Sequence, residues 1–181
     1  MAGSRRSVVR AFTETERSAY FSPADRLVAA EEYPYDVSLA YMFIRLESCQ
    51  RAALLFGAMK LHSVELGLTR KSIDQLDITR GNYPEYFETI YSRKIPRALR
   101  NRLQHAETVR DDLMHGRRPS EKDKRKAIVD ILEYFDGFCD LIQEVAGFDV
   151  SGDMRGFKGR AVPHDRKTTR WILKGMGLPC S

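Results

Sequence analysis

The sequence predicts an all-α fold, a bundle of long helices joined as antiparallel hairpins. Three observations point there. Apolar residues recur at helical spacing along three long stretches. Cap and stop residues bound those stretches. No segment alternates apolar and polar residues as a half-buried strand does.

Each element has its own signal. Residues 1–23 are polar and weakly patterned, which predicts a loose N-terminus. A short helix is expected from Ala24 to Glu32, ended by Tyr33-Pro34. Asp36 is expected to cap a long helix reaching about Leu66, with Gly67 as its stop. Ala40, Phe43, Ile44, Leu54, Leu55, Ala58 and Leu61 fall on one face of it, interrupted by Glu47 and Arg51. Those two are spaced i, i+4, so they either pair with each other or line a polar cleft. Residues 67–83 read as a connection, and Tyr83 to Tyr91 as a short helix with Pro84 in its first turn.

Pro96 opens the second long helix, with an apolar line of Leu99, Leu103, Ala106 and Leu113 and a stop at Gly116. Ser120 caps the third, helped by Asp123 three residues on. Its inner face is Ile128, Ile131, Leu132, Phe135, Phe138, Cys139 and Ile142, and Gly147 closes it. Residues 151–167 read as a basic linker, followed by an apolar end at Trp171, Ile172, Leu173 and Met176 that docks on the core or on a partner. The chain divides on this reading into an N-terminal extension (1–35), a helical domain (36–150) and a basic C-terminal tail (151–181). Removing residues 152–181 is expected to leave the helices intact.

The counts limit what the protein can be. With 181 residues, 43% hydrophobic and 30% charged, it has the composition of one globular domain. The longest uncharged apolar run, Ala52 to Met59, is too short to span a membrane. The arginine-bearing start lacks the apolar centre of a secretory signal. Three scattered cysteines suit a reducing cytoplasm, with Cys49 and Cys139 as small buried residues. The net charge is +5, but it is unevenly spread. Residues 93–126 carry net +7, residues 127–151 net −6 and residues 152–181 net +5. Concentrated positive charge suits a phosphate-rich partner such as RNA, although an acidic protein partner or a solvated helix face would use it too.

No nucleotide-binding glycine loop, metalloprotease helix or serine-hydrolase elbow is present. His62, His105, His115 and His164 have no metal-ligand spacing, so no metal and no cofactor are expected. One constellation carries chemistry: Arg110-Asp111-Asp112-Leu113-Met114-His115, then Gly116, a loop and a capped helix. An imidazole takes or gives a proton near neutral pH. A guanidinium grips a phosphate and stabilises added negative charge. A second segment, Arg100 to His105, has similar spacing. Helix phase separates the two. At 100° per residue from Leu99, Arg110 lies at about +20°, on the inward line, while Arg100 and His105 lie at about +100° and −120°. Arg110 is therefore either a site residue or half of an ion pair, for example with Glu47. Arg100 and His105 read as a solvated side. Arg110 and His115 would stand about 140° apart in continuous helix. They share a face only if the helix ends near Met114, or if a second subunit completes the pair.

This arrangement resembles the R-x4-6-H motif of the HEPN superfamily of all-α domains, many of them ribonucleases. The resemblance covers roughly residues 36–147, in helix order as well as in motif. Asp111 stands where the family often has Asn, and Arg117 where a toxin subgroup has Tyr. The resemblance implies a metal-independent endoribonuclease cleaving RNA by 2′-OH attack, in a toxin or antiviral-defence role. Arg110 would hold the phosphate, His115 would move protons and Asp111 would orient one of them. Glu47 and Arg51 would line the cleft. Arg117, Arg118, Lys122, Lys124, Arg125 and Lys126 would attract the RNA backbone. Family clefts are typically built from two such units, which implies a homodimer, with an antitoxin as a further partner. A helical RNA-binding or protein-interaction module without catalysis is the alternative.

Overall fold

The computed structural model describes residues 4–30, 34–79, 81–159 and 161–180. Its ordered elements are all helical. They are α1 (Arg5–Glu14), a 3-10 turn (Ser18–Phe21), α2 (Ala24–Ala29), α3 (Tyr35–His62), α4 (Leu66–Asp74), α5 (Tyr83–Tyr91), α6 (Arg97–Met114), α7 (Glu121–Ala146) and α8 (Arg166–Gly175). Among the described residues there is no strand. No helix is long and apolar enough to cross a membrane. Two compact units form: residues 1–48 with 96–140, and residues 49–95 with 141–181.

In the first unit, α6 and the start of α7 make an antiparallel hairpin, as their register shows. Arg102 pairs with Glu133 at 3.4 Å, His105 with Asp130 at 2.7 Å, and Gly137 lies under Leu99, so numbers fall along α7 as they rise along α6. The α6–α7 turn closes as the sequence predicts. Gly116 has φ +72°, its N–H donates to Leu113 O, and Arg117 N–H donates to Asp112 O at 2.8 Å. That is a Schellman closure, and glycine takes its left-handed position without strain. Ser120 and Asp123 then cap α7 reciprocally, and this bond holds the Asp123 carboxyl below its usual range. The inner face of α7 is as expected: Ile128, Ile131, Leu132, Phe135, Phe138, Cys139 and Ile142 are all fully buried.

Four expectations for this unit are corrected. Residues 4–23 are not loose: α1 buries Val8 and Phe12, and Tyr20 and Phe21 pack on Phe135 at 4.7 and 4.8 Å, while residues 1–3 lie outside the described residues. Two or three apolar side chains in a polar stretch leave little periodic signal, yet they suffice when a core receives them. α2 ends at Ala29, while the expected stop at Glu32 and Tyr33 lies outside the described residues. Asp36 does not cap α3. It sits in the first turn and pairs with Lys124 at 2.6 Å. Finally, the buried face of α3 in this unit is Leu39, Met42, Phe43 and Leu46, while Ala40 is exposed and Ile44 is 63% exposed. This helix is apolar on nearly all sides, so its phase is not fixed by its own pattern.

In the second unit, α3 ends at His62 rather than Leu66. Ser63 adopts φ +50° and turns the chain. Gly67 is no stop: it lies in the first turn of α4, where the Glu65 carboxylate accepts from Gly67 N–H at 2.7 Å and Leu68 N–H at 2.8 Å. The expected connection over 67–83 therefore begins as a helix. α5 covers Tyr83–Tyr91 as predicted, with Pro84 in its first turn. The tail is part of this unit. Thr169 Oγ1 accepts from Glu65 N–H at 3.1 Å, Ser72 bonds Pro179 O, and Phe157 contacts Phe56 and Phe148. Leu173 and Leu178 are buried. Removal of residues 152–181 would strip these partners from α3, α4 and Phe148, against the expectation of an independent tail.

Candidate functional site

Arg110 sits one turn before the end of α6, with its side chain 32% exposed. Its Nη1 donates to Glu47 Oε1 at 2.7 Å, its Nε lies 3.6 Å from Asp111 Oδ1, and its guanidinium covers the Phe43 ring at 5.0 Å. Two carboxylates and one aromatic face thus fix a planar cation whose remaining N–H groups can take a bidentate anion. Glu47 is 57% exposed, so it borders the site from the surface of α3 and not from an inward face. Asp111 is half-buried.

His115 comes directly after the last helical residue and is exposed. Its N–H still donates to Asp111 O at 2.9 Å, so the regular helix persists through Met114. α6 thus ends at Met114, where the sequence predicts its stop, and His115 itself departs from helical geometry at φ −91° and ψ 14°. Ideal helix geometry carried to position 115 sets the two residues about 140° apart.

Arg51 is not paired with Glu47. It donates to Ile73 O at 3.3 Å and to Leu76 O at 3.4 Å, closing the end of α4, where the last carbonyls lack intrahelical donors. Of the basic residues, Arg118 and Lys122 are exposed. Arg117 is exposed and clasps Asp112 at 2.8 Å. Arg125 lies over the Tyr35 ring at 5.8 Å. Lys126 bonds Asp130 at 2.6 Å while remaining half-exposed. Lys124 is placed otherwise than expected: only 8% exposed, it is shared by Asp36 and Glu121. Burial alone would lower its pKa, but the bonds to Asp36 and Glu121 outweigh that and raise it. It stays charged inside a local pair and presents nothing outward.

The second motif match also changes meaning. Arg100 is exposed, but His105 is half-buried and its Nδ1 contacts Asp130 Oδ2 at 2.7 Å. The buried stripe of α6 extends to Val109, at about −80° from Leu99, which brings His105 to its margin. Asp130 is buried and serves both His105 and Lys126. Helix phase within α6 could not reveal this, because the partner lies on α7. The i, i+4 spacing of Lys126 and Asp130 was the one legible trace of it.

Among the described residues no group of three His, Cys, Asp or Glu side chains is arranged to hold a metal ion. Comparison with family models, with characterised proteins and with solved structures finds no match to this chain. The class defined by fold and geometry is an all-α protein with a fixed, half-exposed arginine in the last turns of a helix that an exposed histidine terminates.

Proposed function

We propose that this chain is a metal-independent endoribonuclease of the HEPN type, working as a homodimer in a toxin or antiviral-defence setting. Arg110 carries the reading: its guanidinium is fixed by Glu47, Asp111 and Phe43, yet remains open to solvent. A phosphate of the RNA would displace Glu47 from it. The ribose 2′-OH would attack the adjacent phosphorus and lose its proton to an imidazole. The P–O5′ bond would break, and the leaving 5′-oxygen would take a proton. His115 fits the proton-transfer role because it is exposed at the helix end. Its position, about 140° from Arg110 on an ideal helix, favours a site in which one subunit gives the arginine and the other the histidine. Arg117, Arg118 and Lys122 would draw in the backbone.

The test is cleavage of RNA by the purified chain in EDTA. Products should end in 2′,3′-cyclic phosphate and 5′-OH, and DNA should resist. Arg110→Ala and His115→Ala should each abolish cleavage. A need for Mg²⁺, or activity surviving both changes, overturns the reading. A second reading, a helical RNA-binding or protein-interaction module without catalysis, is favoured by one observation: Glu47 already balances the Arg110 charge. RNA binding without cleavage would select it.

A further inference from the structure

We propose that α8 is a platform for single-stranded nucleic acid, with Trp171 stacking on a base and Lys167 and Lys174 contacting the flanking phosphates. The packing of α8 leaves this face unused. Thr169 and Leu173 are fully buried, and they lie about 160–200° round the helix from Trp171. Trp171 is 81% exposed at the outermost point of the helix. The apolar end thus docks through Leu173, and the largest aromatic ring of the segment is left in water.

Its neighbours supply the charge. Lys167 and Lys174, four residues before and three after Trp171, lie within about 60° of it, roughly 5–6 Å away between Cβ atoms. Arg166 and Arg170 extend the positive side, and residues 166–175 hold no acid. The Glu65 carboxylate faces Arg166, at the start of the helix, and the carboxylate next to α8 in sequence, Asp165, is engaged as its N-cap. It accepts from Lys167 N–H, Thr168 N–H and Thr168 Oγ1, bonds that lower its pKa. An exposed aromatic face flanked by cations one helical turn to either side matches a base with its two phosphates.

The needs of the ring identify the occupant. A duplex covers the faces of its bases, so only an unpaired strand offers one for stacking. A membrane-surface helix inserts its own apolar face, and here that face is spent on Leu173 and Thr169 inside the unit. The inference extends the RNA-directed reading and rests on it only for the strand being RNA; binding at α8 needs no 2′-OH attack.

Trp171 is the only tryptophan in the chain, so its fluorescence reports on this helix alone. Titrating the full chain with a single-stranded 2′-deoxythymidine oligonucleotide, which cannot be cleaved by 2′-OH attack, should quench that emission saturably. RNA of the same length should compete. By anisotropy of the labelled oligonucleotide, Trp171→Ala should weaken binding at least about fivefold, and Trp171→Phe should retain most of it. Lys167→Gln and Lys174→Gln should each flatten the log–log salt dependence by about 0.7. Unquenched emission, equal affinity of Trp171→Ala and wild type, or duplex bound as tightly as single strand would overturn the proposal. So would a blue shift on phosphatidylserine vesicles without quenching by the oligonucleotide. Loss of RNA cleavage with quenching intact would sink the ribonuclease reading and leave this one standing.

Discussion

Two histidines, each five residues after an arginine, end up in different chemical settings. His105 is held by a buried carboxylate across the α6–α7 hairpin, while His115 stands exposed at the helix end. Their substitutions should therefore separate stability from activity. His105→Ala removes one charge-assisted bond from Asp130, whose other donor, Lys126, remains. A loss of about 1 kcal/mol in unfolding free energy is expected, with RNA cleavage retained in EDTA. His115→Ala should do the reverse, leaving the denaturation midpoint in place and abolishing cleavage. Equal behaviour of the two variants in both assays would contradict the assignment of roles.

At the scale of the element, the start of α4 depends on one carboxylate. The Glu65 side chain accepts two backbone N–H bonds, and these hold its pKa below the ordinary carboxylate range. A depressed folded-state pKa stabilises the fold above the unfolded pKa, and the stabilisation is lost as pH falls through the folded value. Glu65→Ala should cost about 1 kcal/mol near pH 7, and the gap from wild type should close under acid, read as thermal unfolding at several pH values. A gap independent of pH would mean that the charge contributes nothing. In α3, alanine at Gly57 would gain roughly 1 kcal/mol in helix propensity. Its Cβ, however, would fall 2.5 Å from Cζ and Oη of Tyr91. That ring cannot swing, since it is buried, stacks on Phe87 at 4.3 Å and donates its hydroxyl to Ala53 O at 2.7 Å. Overpacking there costs about 1–3 kcal/mol, so Gly57→Ala should fall short of the propensity gain and leave the protein no more stable, or less stable by up to about 2 kcal/mol. Gly137→Ala should cost less, because its neighbour is the flexible end of Leu99. Equal melting temperatures for the two alanine variants would show that the Tyr91 ring yields.

For the whole molecule, the decisive question is whether one chain can hold a complete site. Ideal helix geometry through Met114, the last residue of α6, sets Arg110 and His115 about 140° apart. In a composite dimer, an inactive Arg110→Ala chain paired with an inactive His115→Ala chain contains one intact site. Mixing the two variants in equal amounts, with subunit exchange, should restore about a quarter of wild-type cleavage, since half of the dimers are mixed and each has one of two sites. No recovery, together with a monomeric mass by light scattering and full activity of the wild type, would place both residues in one chain.

Some of this was legible in the chain itself. The inner face of α7 could be read because its apolar residues are confined to one side and its other side is charged, so a single phase satisfies the pattern. The end of α6 could be read because Gly116 is where a left-handed residue costs least. The Arg110 to His115 spacing and the choice of Glu47 as a partner for Arg110 came from sequence and phase. The buried face of α3 did not, since a helix apolar all round fits several phases and only its neighbours choose among them. Nor did α1, whose two buried side chains gain their value from a core made elsewhere in the chain. Gly67 read as a stop because sequence gives no φ; Ser63 takes the turn instead, and Glu65 caps α4. The His105–Asp130 pair and the outward Trp171 depended wholly on tertiary structure. A side chain's partner across a hairpin, and which of two adjacent apolar residues a core has room for, are decided by packing between segments and not by the periodicity of any one of them.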